Sequence, residues 1–212
     1  MKAIAATFGV VLLAVFWGGP FLDDWRESFA AHMSVHMGVV ALAAPLLAIG
    51  ISGTRWDPTI ERQWISPIPV SLLELVVVWT WHAPAMRAMA ENSVAATVLE
   101  QAMFLSAGLL LWLSCLGRGE TDISSRGAAG VIALLFTSMH MTLLGVLLAL
   151  APRPLYGMAE VTCFGTTLPA QGDQQLGGVI MLMVGAAAYL VGGLALAGRL
   201  LAVAPGAKGA SR

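Results

Sequence analysis

Charged residues are scarce in this chain: Asp, Glu, Lys and Arg together make up 11% of its 212 residues. Soluble domains carry about a quarter charged residues, so this composition excludes an ordinary soluble globular domain. The net charge of −1, with no basic stripe, gives no reason to expect nucleic-acid binding. Hydrophobic residues reach 58% and occur in long runs, which predicts a polytopic membrane protein whose main partner is the lipid bilayer.

Cysteine is also rare. Cys115 and Cys163 lie far apart in the sequence and form neither a CxxC motif nor a disulfide framework. A metal site built on a thiolate cluster is therefore excluded, which leaves histidine, methionine and carboxylate as ligands. No nucleophilic triad, phosphate-binding loop or glycosidase-type carboxylate pair can be assembled either, so we do not expect an enzyme.

Six apolar runs are each near the ~20 residues that a helix needs to cross the hydrocarbon core. We therefore expect an all-α, polytopic integral membrane helical bundle that forms a single domain over residues 1–212. The predicted transmembrane helices lie near 3–19, 31–51, 68–83, 96–117, 127–151 and 176–203. The first run resembles a signal peptide, but no cleavage site follows it, and we expect it to be retained as a helix.

The distribution of lysine and arginine between the loops predicts the orientation. With a cytoplasmic N-terminus, eight of these residues fall on the inner side and three on the outer side, so both termini are expected to be cytoplasmic. The inner set is Lys2, Arg55, Arg62, Arg118, Arg126, Arg199, Lys208 and Arg212, and the outer set is Arg26, Arg87 and Arg153.

In this topology all four histidines fall in the outer half of the membrane or at its outer surface, and the methionines fall near the midplane or outward of it. His32 and His36 project from one helix face, and Met33 and Met37 form a second row about 100° away. Histidine with methionine suits copper, and Cu(I) more than Cu(II), because Cu(I) accepts thioether sulfur. The predicted ligands are His32, His36, His82, His140, Met33, Met37, Met141 and Glu100.

Other interpretations stay open at this point. An intramembrane histidine is often an interhelical hydrogen-bonding group, and His82, beside Trp79 and Trp81, could belong to an interfacial aromatic belt. Two histidines, or histidine and methionine, could also ligate a haem in an electron-transfer subunit. A third interpretation is a metal-free structural partner of an oxidase. Asp173, where the last span begins, is predicted to cap that helix.

The motifs HMSVHMGVVALAAPLLAIG, VVVWTWHAPAM, LEQAMFLSAGLLLW, SMHMTLLGVLLALAPRPLY and DQQLGGVIMLM resemble the CtaG-like family of bacterial cytochrome c oxidase assembly proteins. The resemblance covers residues 30 to 185. It implies an inner-membrane factor that matures the copper centres of haem–copper oxidases, with copper as the bound ion and an oxidase subunit as partner. Whether the protein also forms a homo-oligomer is left open.

Carried over by position, the histidines of the family fall on His32, His36 and His82. The acidic-amide opening of the last span falls on Asp173, Gln174 and Gln175. Two positions depart from the family pattern. Gln101 follows Glu100 where many relatives have histidine, and Leu182 stands where members often have tryptophan.

Overall fold

The computed structural model describes residues 1–22, 24–62, 65–116 and 123–203, and the regular secondary structure within them is helical apart from one short β-hairpin. Arg118, Lys208 and Arg212, which entered the orientation prediction, lie outside these residues. The helices are α1 (Lys2–Gly18), α2 (Phe29–Met37), α3 (Ala44–Ile51), α4 (Pro67–Trp81), α5 (Pro84–Asn92), α6 (Val94–Leu116), α7 (Ile123–Ala149) and α8 (Ala170–Val203). The antiparallel hairpin pairs β1 (Val161–Cys163) with β2 (Thr166–Leu168).

Among the described residues, four helical stretches are long and apolar enough to cross a membrane: Phe29–Ile51, Val94–Leu116, Arg126–Ala149 and Ala170–Ala202. A fifth is counted if α4 and α5, bent by 71° at their junction, form one broken span. Helix α1 is apolar but has only 17 residues. The all-helical membrane class is therefore confirmed, with four or five candidate spans where the sequence predicted six.

The span Phe29–Ile51 is not a uniform α-helix, because residues Gly38–Ala43 form a π-helical segment between α2 and α3. The indole Nε1 of Trp112, on α6, donates to the Val40 carbonyl oxygen in this segment at 3.1 Å. A side chain at Gly38 would collide with the Phe16 ring of α1, so glycine allows α1 to pack there. π-Helical turns are rare and occur frequently at functional sites. This one directly follows the turn that carries His36.

Asp173 lies in the first turn of α8, and its carboxylate caps a different helix from the one predicted. Its oxygens accept hydrogen bonds from Ser28 Oγ at 2.7 Å and from the backbone N–H groups of Phe29 at 2.6 Å and Ala30 at 3.2 Å. The prediction that Asp173 caps the last span is therefore wrong, because α8 begins at Ala170 and the free N–H groups near Asp173 belong to α2. Asp173 thereby fixes the start of the helix that carries two of the candidate histidines.

Glycines allow α7 and α8 to approach at backbone distance. A Cβ atom built on Gly178 would lie 2.7 Å from the Ala149 nitrogen and 2.8 Å from the Gly145 carbonyl oxygen. Small residues commonly permit such close approaches between membrane helices. The contact holds together the two longest helices of the described chain.

Matched alanine substitutions test this contact. Gly178→Ala is expected to destabilise the protein by about 1–3 kcal/mol, because the added methyl group meets backbone that cannot move aside. Gly198→Ala, on the same helix, is expected to be neutral or stabilising, since a Cβ there meets nothing within 4 Å and alanine favours helix over glycine. Thermal unfolding in mild detergent measures both. Equal shifts for the two variants would contradict the close contact.

Candidate metal site

Three of the four histidines lie together at one end of the bundle. His32 and His36 come from α2, and His82 immediately follows α4. The ring centroids of His36 and His82 are 5.1 Å apart, and those of His32 and His82 are 6.1 Å apart. Each of the three residues is at most 5% exposed. The Phe104 ring of α6 packs against His36 at 4.1 Å and forms one wall of this histidine cluster.

His82 is held in one tautomer by the end of its own helix. Its Nδ1 lies 2.6 Å from the Val78 carbonyl oxygen. A carbonyl oxygen only accepts, so Nδ1 carries the hydrogen and Nε2 keeps a free lone pair. This nitrogen is buried and has no hydrogen-bond partner among the described residues. Metal-binding histidines usually have this arrangement, in which the second ring nitrogen donates to a carbonyl or carboxylate.

The backbone of His82 is fixed as well. The hydroxyl of Tyr156, from the loop between α7 and β1, donates to the His82 carbonyl oxygen at 2.6 Å. The Tyr156 ring in turn stacks on Phe29 of α2, with centroids 4.2 Å apart. The imidazole is therefore positioned from both its ring and its main chain, at the junction where α4 gives way to α5.

His36 and His140 each bury two ring nitrogens for which the described part of the chain supplies no hydrogen-bond partner. Burying polar atoms in this way costs free energy, and such atoms in a native structure call for a physical reason. His140, on α7, is close enough to His36 to interact with it electrostatically, and its ring lies 5.6 Å from that of Phe136. Both residues therefore have unsatisfied buried ring nitrogens, and the His36 ring lies 5.1 Å from that of His82.

His32 differs from the other histidines because charged groups surround it. An Arg87 guanidinium nitrogen lies 3.0 Å from its Nδ1, and Glu100 Oε1 lies 3.6 Å from its Nε2. The Gln101 amide donates to the other Glu100 oxygen at 3.4 Å and accepts from the Trp17 indole at 3.1 Å. Gln101, where many relatives have histidine, thus links α1 to Glu100. Arg87 was not among the predicted site residues. Its position only five residues after His82 was the one signal in the sequence that could have pointed to it.

The imidazole nitrogens of the histidine cluster are of a type that binds metal ions. They do not form a preformed site with three or more ligands. Among the described residues, no group of three or more His, Cys, Asp and Glu side chains is arranged to hold a metal. A metal–nitrogen distance near 2.0 Å places two imidazole centroids that share an ion roughly 6 Å apart or closer. The His36–His82 and His32–His82 separations fall within this range. The ring separations therefore allow two histidines to share a soft ion such as Cu(I).

The cytochrome c oxidase caa3 assembly factor family provides a model that matches residues 1–202. This chain belongs to that family. No curated protein and no solved structure matches the chain. The family assignment confirms the resemblance drawn from the histidine, HAP and DQQLGG motifs. It establishes the general role of an oxidase assembly factor and leaves the bound ion to be inferred from the residues themselves.

The predicted thioether ligands of this assembly factor lie on a different side of α2 from the histidine cluster. Met33, Met37 and Met141 are buried, but they face α8. A Cβ atom built on Gly185 of α8 would lie 3.6 Å from Met37 Sδ and 3.3 Å from Met141 Cβ. Met37 and Met141 therefore meet at Gly185, away from the Phe104 wall. Five other methionines among the described residues are exposed: Met1, Met89, Met139, Met158 and Met183.

A second buried polar group lies further along α4. The Glu74 carboxylate accepts hydrogen bonds from Tyr189 Oη at 2.8 Å and from Thr137 Oγ1 at 3.0 Å. Glu74 precedes His82 by eight residues, or about 12 Å along a helix axis. Both carboxylate oxygens have partners, so this network joins α4, α7 and α8. Tyr189 and Thr137 were missed by sequence reasoning because neither polar residue is part of a recognisable motif.

Proposed function

We propose that this assembly factor binds copper, Cu(I) more readily than Cu(II), and assists its insertion into a haem–copper terminal oxidase. Copper is the cargo in this proposal, and the protein catalyses no reaction on it. The observation that carries the proposal is the pair formed by His36 and His82. His82 has a free, oriented Nε2 lone pair, and His36, whose ring is 5.1 Å away, has two unsatisfied buried nitrogens.

The other predicted ligands have secondary roles in this proposal, after His36 and His82. His32, His140 and Glu100 would supply further donors to the copper held by the His36–His82 pair. Met33, Met37 and Met141 would offer thioether sulfur on the α8 side of α2. Soft sulfur and imidazole donors bind Cu(I) well, whereas zinc and iron more often recruit carboxylate or thiolate.

The proposal includes a topology with six spans, both termini in the cytoplasm and the histidine cluster toward the outer face of the bacterial inner membrane. The bias of lysine and arginine between loops supports this orientation. The count of six requires α1 to cross with its 17 residues, which is at the short end of the ~17–25 residues found in spans. It also requires α4 and α5 to form one broken span. An oxidase subunit would meet the copper site from the outer side.

Copper binding by the purified protein tests the proposal. Cu(I) affinity is measured in mild detergent by competition with a chromophoric chelator, and copper per chain by elemental analysis. His36→Ala and His82→Ala are each expected to weaken binding by at least about tenfold, because each removes a ligand. Ser34→Ala is the control, since its hydroxyl bonds only to the Ala30 carbonyl of the same helix. Unchanged copper content in both histidine variants would contradict the proposal.

The same sample distinguishes the two alternatives. A Soret band would indicate haem, although the cavity beside His32 has a volume of only about 10 Å³, far below the ~300–1,000 Å³ of typical small-molecule sites. Neither copper nor haem after Cu(I) is supplied would support a metal-free structural partner. One observation favours that outcome: the buried guanidinium of Arg87 lies against His32, where it repels a cation.

A further inference from the structure

Arg87, on α5, makes three polar contacts while only 5% exposed. One terminal nitrogen donates to His32 Nδ1 and the other to the Arg26 carbonyl oxygen, both at 3.0 Å. Its Nε forms an ion pair with Glu91 Oε1, also at 3.0 Å. A buried arginine in a membrane protein is costly to place and marks a functional position by default. Arg87 connects α5 to the helix that carries His32 and His36.

The contact with His32 determines which of its nitrogens carries the hydrogen. A guanidinium only donates, so His32 Nδ1 must use its lone pair to accept, and the neutral ring then holds its hydrogen at Nε2. Neither nitrogen of His32 is left with a free lone pair for a metal. His82 has the opposite tautomer, because its Nδ1 donates to Val78 and its Nε2 is free. Within the histidine cluster, therefore, His82 has a nitrogen lone pair available for a metal ion and His32 has none.

Helix α5 is held in place by reciprocal contacts between two arginines. Arg26, before α2, donates to the Ala90 carbonyl oxygen of α5 at 3.0 Å and to Thr97 Oγ1 at 2.8 Å. Arg87 of α5 donates back to the Arg26 carbonyl oxygen. A small cavity of about 10 Å³ lies beside these contacts, and its lining includes Arg26, Arg87, Thr97, His32 and Glu100.

The chain also contains a break at which α5 could turn. Helix α4 ends at Trp81, and α5 begins at Pro84 with its axis bent by 71°. Proline cannot donate the backbone hydrogen bond that would continue α4, so the two helices are not joined by a continuous ladder. A rotation at residues 83–84 would withdraw Arg87 from His32 and leave His82 and the packing of α4 intact.

We propose that Arg87 is a positioning residue that keeps His32 in a non-ligating tautomer, and that movement of α5 releases His32 to join the metal site. This inference rests on the proposed copper function. In the closed arrangement copper is held by His36 and His82, and His32 contributes no ligand. Only molecules in which Arg87 has left His32 offer all three histidines to copper. The apparent affinity of this three-histidine site is therefore its intrinsic affinity multiplied by the fraction of such molecules.

Substitution of Arg87 tests the inference in the full chain. Arg87→Met removes every donor and the charge, and is expected to bind Cu(I) about tenfold more tightly than the wild type. Adding His32→Ala to Arg87→Met is expected to cancel that gain. Arg153→Met, which alters an exposed arginine outside the cluster, is the control and is expected to have wild-type affinity. Copper bound equally by wild type and Arg87→Met would overturn the inference alone, whereas no copper in either would overturn the copper function.

A second measurement is made on the wild-type protein without copper, and a variant serves only to assign its signals. Nitrogen NMR of the metal-free protein, labelled with ¹⁵N-histidine, reports which ring nitrogen carries the hydrogen. The signals of His32 are identified by their loss in His32→Gln. We expect hydrogen on Nε2 of His32 and on Nδ1 of His82. Hydrogen on Nδ1 of His32 in the wild type would overturn the inference, since Arg87 could not then donate to it.

Discussion

Cells that depend on this protein and carry His36→Leu together with His82→Leu are expected to lose haem–copper oxidase activity to below about a tenth of the wild-type level. The physical reason is that these two rings supply three of the four unsatisfied nitrogens of the histidine cluster, including the one with an oriented lone pair. Leucine fills a similar volume, so the wall formed by Phe104 is expected to keep its packing. The measurement is oxidase turnover in membranes, together with copper and haem per oxidase.

The expected signature is an oxidase that retains its haem and lacks copper. Addition of Cu(I) during growth is expected to restore activity in part, since copper can then reach the oxidase without the assembly factor. The control is Met139→Leu, which changes an exposed methionine near His140 and is expected to leave activity unaltered. Normal copper content in the oxidase of the double variant would show that these histidines serve only packing.

Asp173→Ala is expected to cause the largest loss of stability among single substitutions, on the order of 3 kcal/mol. The reason is that one buried carboxylate accepts from Ser28 Oγ and from the N–H groups of Phe29 and Ala30. Removing it leaves these donors unsatisfied where water is scarce. Thermal unfolding in detergent measures the loss, and Cu(I) affinity is expected to fall with it, because His32 lies in the turn that Asp173 fixes.

Two further variants separate this cap from a general effect of charge. Asp173→Asn keeps one oxygen acceptor and is expected to lose about half as much stability as Asp173→Ala. Asp24→Asn removes an exposed acidic residue on the same side of the bundle and is expected to have no effect. A drop of similar size in Asp24→Asn would show that net charge, and not the cap on α2, is responsible.

The positions of the helices and the proximity of three histidines could be predicted from the sequence. Long apolar runs mark spans, and consecutive spans alternate in direction, so the start of α2 and the end of α4 reach the same end of the bundle. The four-residue spacing of His32 and His36 places both on one face. The same geometry predicted that Met33 and Met37 lie on another face, but it could not show that α8 covers that face.

The remaining features depend on contacts between residues far apart in the chain. An aspartate near the start of a helix is predicted to cap that helix, and nothing local indicates that Asp173 caps α2. The burial of Arg87 follows from the bend after His82, because this bend places α5 over the histidine cluster. The sequence had suggested a loop at this point and not a helix. The Glu74 network likewise needs Tyr189 and Thr137 from two other helices. Periodicity along one segment carries no information about such partners.

The π-helical segment Gly38–Ala43 has a further consequence for how this span could change over evolution. A π-helical turn is equivalent to one residue added to an α-helix, so the stretches before and after it differ in phase by about 100°. Deleting one residue there would restore a continuous α-helix. It would also rotate His32 and His36 away from His82, or rotate α3 away from α1. The extra residue therefore lets α2 point His32 and His36 toward His82 while α3 keeps its packing against α1. A change of length at this point would preserve one of these contacts at the expense of the other.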